Sequence, residues 1–502
     1  MVNKKVLLWM HNGPYPYFHF SIALELSKLN DYDFYGFVET KKDMEFFENQ
    51  QKLKFKELHY FSEKYFDEST PDMDYLSNLE KNYNLNFWSL IYSERWFSEE
   101  RNSFHTFSSN EILNIIESLS RFYLNFLNRI KPDFILMQSA GESITNFLLY
   151  HIAKSIGIKT LMLMDTHIQN SFVLSDDIFL NELKTEFKKI KQNPSKKINY
   201  YDIDYIKDRE LLKSAITLMS AQSQNTTKFK NKLERYFQQI FESRESLFYN
   251  KGKTSSKMLK WRINSSSQLK KRESFINKFT IKSIPTEKFI YYPLAVQPES
   301  STSIRAPYHL NQISIIQNIA KSIPIDYVLC VKEHPAQKSK NWRPIEFYDS
   351  ILSLPNVKLI HPSVKNFDLL KNCKLVTLIN ATTGLEALFF KKPVIVFTDV
   401  FYDVVSMVKK ISDFYDLPDA ILESLNNYTF NPEELSFLID AMDNKNIVVP
   451  YWDIMSEAIT ISSKRIHSSI EETEKEFMLF FNRNQKSFKM IAEKYNNFTN
   501  NN

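Results

Sequence analysis

The chain has 502 residues, 43% of them hydrophobic and 25% charged, which places it among soluble globular proteins with room for two or three domains and sizeable cores. Only two cysteines occur, Cys330 and Cys373, which excludes a disulfide framework and a cysteine zinc site and fits a reducing compartment. The net charge of +5 is uneven: Lys228 to Lys282 holds 15 Lys/Arg against 4 Asp/Glu, so the remainder stands at about −6. That run reads either as a solvated helical face or as a patch for an anionic membrane surface or acceptor. No nucleic-acid motif accompanies it, so nucleic acid is not an expected partner.

The first predicted strand is Val6–Met10, too short an apolar run after Lys4-Lys5 for a signal peptide. No later run approaches a membrane span, and a cytoplasmic protein is the expectation. His11-Asn12-Gly13 follows as a strand-to-helix loop, and a helix begins near Phe18. Asp33–Val38 reads as a second strand. Residues 40–110 are polar and aromatic and give no clear assignment, and a helix covers about 111–130. Asp133–Met137 is a strand running into Gln138-Ser139-Ala140-Gly141-Glu142-Ser143, with a helix from Ile144. Lys159–Met164 ends in Asp165-Thr166-His167. Residues 176–286 read as a basic, helical, linker-like stretch.

Four strand-like runs between Phe289 and Phe397 then each end in a polar cluster. Phe289–Val296 runs into Gln297-Pro298-Glu299-Ser300-Ser301, and Asp326–Val331 into Lys332-Glu333-His334-Pro335. Leu375–Ile379 runs into Asn380-Ala381-Thr382-Thr383-Gly384-Leu385-Glu386, and Pro393–Phe397 into Thr398-Asp399. Helical periods separate them at about 308–322, 344–353, 365–372 and 384–391. Strands alternating with helices make a parallel sheet. Such a sheet binds ligands beyond the carboxyl ends of its strands, where these clusters fall. Only six glycines occur, and Gly13, Gly141 and Gly384 each sit in such a loop, where a positive φ or close backbone approach is useful. Neither half carries a G-x-G-x-x-G or a P-loop.

The residues Val331-Lys332-Glu333-His334-Pro335, Leu354-Pro355-Asn356-Val357, Asn380 to Leu388 and Lys392-Pro393-Val394-Ile395-Val396-Phe397 resemble the bacterial capsule polysaccharide biosynthesis family. That family includes transferases of Kdo, 3-deoxy-manno-octulosonic acid, that use CMP-Kdo. The resemblance is good over about 287–400, faint over 130–180 and absent from the basic segment. It implies an α/β, GT-B-like fold. Two Rossmann-like domains face a cleft, with a helical basic insertion and a C-terminal helix returning to the first domain. The expected units are an acceptor-side domain at 1–175, the insertion at 176–286, a nucleotide-sugar donor domain at 287–425 and a helical tail at 426–502.

The activity implied is glycosyl transfer in surface polysaccharide synthesis, from a CMP-Kdo-like donor to a lipid-linked or glycan acceptor. No metal or further cofactor is expected. The basic segment at 228–282 would hold the protein at the inner face of the cytoplasmic membrane. Donor contacts are expected from Gln297, Glu299, Ser300, Ser301, Lys332, His334, Asn380, Thr382, Thr383 and Gly384. Glu386 has two roles open to it: a capping box with Thr383, or a carboxylate gripping the ribose. Asp165 ranks first as catalytic nucleophile or base, although the family's neighbouring glycine and arginine are replaced here. Glu142 ranks second, with a helix-dipole role as its alternative. His11, Asn12 and Gly13 are assigned to the acceptor side. Three rival readings share the fold. A teichoic-acid-type glycerophosphotransferase would carry an Asp-Tyr-Ser-Ser-like cluster at 380–384. A sugar-nucleotide epimerase would need carboxylates around the donor's own sugar. A non-catalytic capsule-export scaffold would carry a degenerate site.

Overall fold

A computed structural model describes residues 3–11, 13–60, 70–97, 104–141, 143–168, 170–194, 200–206, 251–297, 299–465 and 468–500. Asn12, Glu142, Pro298 and the 228–250 part of the basic run lie outside these residues, as does the side chain of Ser300. Two separate sheets organise the chain, their central strands built from short apolar runs buried on both faces, as parallel strands require.

The first sheet has the order β13-β6-β5-β4-β1-β2-β3. Its strands are β1 (Lys4–Met10), β2 (Tyr32–Val38), β3 (Phe55–Tyr60), β4 (Phe134–Leu136), β5 (Lys159–Asp165), β6 (Ser171–Ser175) and β13 (Asn446–Val448). β1 through β5 pair in parallel. β6 and β13 extend the edge in antiparallel fashion. The stretch 40–110, opaque in the sequence, supplies β3 and the helices Lys41–Asn49, Met73–Tyr83 and Phe87–Ser93. The helix Ser109–Ile130 opens on a capping box, Ser108 with Glu111.

The second sheet has the order β12-β11-β10-β7-β8-β9 and is parallel throughout. It contains β7 (Lys288–Pro293), β8 (Tyr327–Lys332), β9 (Val357–Ile360), β10 (Leu375–Leu378), β11 (Val394–Val396) and β12 (Val408–Lys410). The intervening helices Gln312–Ser322, Ile345–Leu352, Asn366–Asn372 and Thr383–Phe389 match the four helical periods of the sequence. The protein is thus α/β and GT-B-like, with two Rossmann-like sheets.

The C-terminal end returns to the first sheet. Helix Ile470–Asn500 carries Phe477, Phe480, Phe481, Phe488, Ile491 and Tyr495 at three- to four-residue spacing. That stripe is buried in one cluster with Phe18, Phe20 and Ile22 of helix Tyr15–Leu26. The tail is not wholly helical, because Asn446–Val448 pairs with β6. Contacts join the two halves at several points. Ile304, beyond β7, packs against Gly141, beyond β4. Lys184 pairs with Asp403 at 2.8 Å, and Tyr205 stacks on Phe389.

Candidate functional site

In the second sheet the chain builds β7, β8 and β9 outward in one direction and then returns to place β10 on the other side of β7. The loops after β7 and β10 therefore diverge, and a crevice opens at their carboxyl ends. Asn380 bridges that crevice: its Nδ2 donates to the backbone carbonyl of Ser301, joining the two loops. The Oδ1 of the same side chain is buried and has no hydrogen-bond partner among the described residues, a costly condition for a polar atom. Beside β7 on the other side, β8 delivers Lys332 and His334 to the same edge.

His334 is exposed and caps the short helix Pro335–Lys340, its Nδ1 accepting from the Ala336 amide at 3.1 Å. Accepting at Nδ1 puts the proton of the neutral ring on Nε2. Glu333, wholly buried, sets this loop. One carboxylate oxygen accepts from the His334 amide at 2.7 Å. The other accepts from Arg343 Nε and from the Tyr348 hydroxyl, each at 2.8 Å. Burial beside that carboxylate pushes the Tyr348 phenol far above its ordinary range. Arg343 then donates to Gln297 Oε1 at 3.0 Å and to the Ala295 carbonyl. Gln297 also donates to the Leu310 carbonyl and accepts from Gln312. The Gln297 side chain is thereby a strut of the scaffold, committed on every side. Glu299 lies near the surface and pairs with Lys340 at 2.9 Å.

Helix Thr383–Phe389 begins at Thr382, whose side chain makes no cap. The Thr383–Glu386 capping box is therefore not formed. Glu386 is fully buried and accepts from Asn366, which in turn accepts from the Tyr291 hydroxyl. A carboxylate in that position is tied to β7 through Asn366. Gly384 is required by close approach: a Cβ there would stand 2.5 Å from the Tyr402 hydroxyl, which donates to the Ala381 carbonyl. Tyr402 is thus the lid of this turn. Asp399 pairs with Lys410, and that hydrogen bond lowers its pKa.

The first sheet has its own reversal between β1 and β4, so the loops holding His11, Gly13 and Gly141 meet at one edge. His11 Nδ1 lies 2.6 Å from an oxygen of Glu39, a fully buried carboxylate that follows β2. Glu94 ends helix Phe87–Ser93 and accepts from the Ile144 amide at 2.6 Å, capping the helix after Gly141. Its burial raises its pKa. Gln138, also at this edge, is buried, and neither of its amide atoms has a partner among the described residues. Asp165 ends β5, but no helix follows: the chain turns through His167, at φ +66°, into β6. Asp165 accepts from the His167 amide at 2.6 Å and lies 3.2 Å from its Nδ1.

The structure therefore brings the donor-side residues to one edge and His11, Gly13 and Gly141 to another. Glu39, Glu94, Arg343 and Asn366 are the participants that the sequence reading missed. Each is distant in the chain from the residue it serves. Among the described residues, no three His, Cys, Asp or Glu side chains gather where they could hold a metal ion. Both cysteines are buried, and burial pushes their thiols up to about 12.

Residues 205–411 match the model of a family described as capsule polysaccharide biosynthesis protein. Protein FixF of Sinorhizobium fredii is 28% identical over 138 residues, which is 26% of this chain and 32% of that protein; the aligned part is about a third of its length. Among solved structures, a beta Kdo 2,4 transferase, KpsC of Thermosulfurimonas dismutans, aligns at 13% identity over 65% of this chain and 87% of the other, with a TM-score of 0.34. The UDP-GlcNAc 2-epimerase of Methanocaldococcus jannaschii aligns at 16% identity over 88% and 99%, with a TM-score of 0.28. The matched segment contains all of β7 to β11 and the crevice between β7 and β10. Through it this segment is similar to the capsule polysaccharide biosynthesis family.

Proposed function

We propose that the protein is a nucleotide-sugar-dependent glycosyltransferase of capsule or related surface polysaccharide synthesis. The observation that carries this reading is the crevice between β7 and β10, bridged by Asn380 and flanked by Lys332 and His334. Lys332 and the Nε2–H of His334 are suited to the phosphate of a nucleotide donor. The buried Asn380 Oδ1 is suited to a donor group on the ligand. The donor is CMP-Kdo or a related CMP-ulosonic acid, by likeness to the family's Kdo transferases. The acceptor is a lipid-linked or growing glycan approaching from the edge of the first sheet. Asp165 is the first candidate to attack the sugar or to activate the acceptor, and Glu142 is the second. The His167 amide and ring hold the Asp165 carboxylate in place at that edge.

The test is thermal denaturation of the purified protein with CMP, UDP, GDP and their sugar conjugates. A ligand bound only by the folded state raises the melting temperature. CMP and its conjugates should do so, and His334→Ala should abolish the rise. Asp165→Ala should keep the rise and lose transfer. A rise with UDP or GDP alone would discard the ulosonic acid. No rise with any nucleotide would shift the reading to a scaffold, and full turnover in Asp165→Ala would remove that residue from the chemistry.

A further inference from the structure

Helix Ser255–Phe279 ties the two halves together. At its N-terminal end Lys257 Nζ donates to the Phe104 carbonyl of the first half. Further along, Arg272 donates to the carbonyls of Asn341 and Trp342, and Ile276 is buried in the core of the second sheet. Met258 and Ile276 face inward, and Arg272 lies on that side.

The opposite face has a composition that packing does not explain. At about 100° per residue, Ser256, Leu259, Lys260, Ile263, Ser267, Lys270, Lys271, Ser274 and Lys278 share one arc of roughly a third of the helix. Every one of them is exposed. Leu259 is 52% and Ile263 66% exposed, one turn apart. Four lysines surround and extend this aliphatic pair. The arc has no acidic residue: Glu273, the one carboxylate of the helix, lies off it and pairs with Lys338 at 2.5 Å. Small serines fill the remaining positions, so nothing bulky keeps a flat surface away.

We propose that this face docks the protein on an anionic lipid surface, Leu259 and Ile263 entering the headgroup boundary and Lys260, Lys270, Lys271 and Lys278 meeting lipid phosphates. Aliphatic side chains flanked by lysines on one helical face, with acid excluded, complement a negatively charged interface. No described helix is long and apolar enough to cross a membrane, so this contact lies along the surface. Because the helix touches both halves, docking fixes the whole cleft at the height of a lipid-linked acceptor. That consequence rests on the transferase reading, whereas the docking itself does not.

The experiment is co-sedimentation of the full chain with vesicles of phosphatidylcholine, alone or mixed with phosphatidylglycerol. Binding is expected only when phosphatidylglycerol is present, and it should weaken between about 0.1 M and about 0.5 M salt as screening shortens. Lys270→Gln should weaken binding about fivefold, and Lys270→Gln with Lys271→Gln about 25-fold, at the lower salt. Leu259→Ser with Ile263→Ser should lower it at least tenfold with an unchanged melting temperature, since both side chains are exposed. Three outcomes would overturn the proposal: no binding to the mixed vesicles, equal binding to phosphatidylcholine alone, or wild-type binding by the Leu259/Ile263 variant. Retention of that variant on heparin as firmly as wild type, with its vesicle binding unchanged, would make the face a general polyanion surface and overturn it as well. None of these readings involves a nucleotide, so failure here leaves the transferase reading standing.

Discussion

Removing the guanidinium of Arg343 would leave Glu333 charged where water does not reach it. The pair is buried on both sides at 2.8 Å, and breaking such a pair from one side costs about 3–5 kcal/mol. Arg343→Met should lower the free energy of unfolding in urea by that much. Arg343→Met combined with Glu333→Gln should cost less than the single change, because no uncompensated charge remains. Chemical denaturation of the three proteins checks this, and equal losses in single and double variants would contradict it. The same pair explains what could be read from the sequence at this scale. Lys332 and His334 were legible because they end an apolar strand, and strand ends in a parallel sheet carry function by geometry. Arg343 was not, since it stands in a loop without periodicity and is brought to Glu333 only by the close of that loop. Gln297 shows the converse. Its position at a strand end matched the rule for a ligand contact, yet its amide is consumed by Arg343, Gln312 and Leu310. Sequence gives a side chain's place along the strand and leaves its partners open.

At the scale of elements, β1 and the helix Tyr15–Leu26 are locked by a buried histidine. His19 Nδ1 lies 2.7 Å from the Trp9 carbonyl, and burial lowers its pKa from 6.5 to about 4. Burial likewise lowers His151, on the helix after β4, to about 4. In both cases the unfolded chain takes up a proton that the folded one refuses. The stability tied to neutral His19 is therefore complete above about pH 6.5 and is lost as pH falls from there toward 4. The loss amounts to about 3 kcal/mol for His19. Denaturation midpoints should fall over that interval. His19→Asn, which keeps a donor near the Trp9 carbonyl, should flatten the fall while leaving the His151 share. A midpoint independent of pH in the wild-type protein would show that neither ring stays neutral. Elements of this kind were legible where apolar runs were uninterrupted, as in β1, β8 and β10. They were hidden in 40–110, where aromatic residues at mixed spacing served neither a helical nor a strand period. β6 and β13 were missed for another reason: short edge strands are made by pairing, and Asn446–Val448 has no pattern of its own before it meets β6.

The two halves of the molecule meet where their strand-end loops face each other, and Gly141 marks one close approach. Its φ is +107°, and a Cβ there would lie 2.6 Å from Ile304 Cγ1. Two independent penalties therefore attend Gly141→Ala. The positive φ costs about 1–3 kcal/mol wherever the residue stands. The contact with Ile304 adds a share that exists only while the halves are pressed together. A double-mutant cycle separates them. In the Ile304→Ala background the cost of Gly141→Ala should shrink by about 1 kcal/mol or more, and the remainder measures the backbone strain. Both variants should keep the residues of the β7–β10 crevice in place, so the nucleotide that stabilises wild type should still raise their melting temperatures. If the cost of Gly141→Ala were the same with and without the Ile304 side chain, the two sheets would not be pressed together at this point. The cleft would then have to rest on the other contacts between the halves, among them the Lys184–Asp403 pair, the Tyr205–Phe389 stack and the helix Ser255–Phe279.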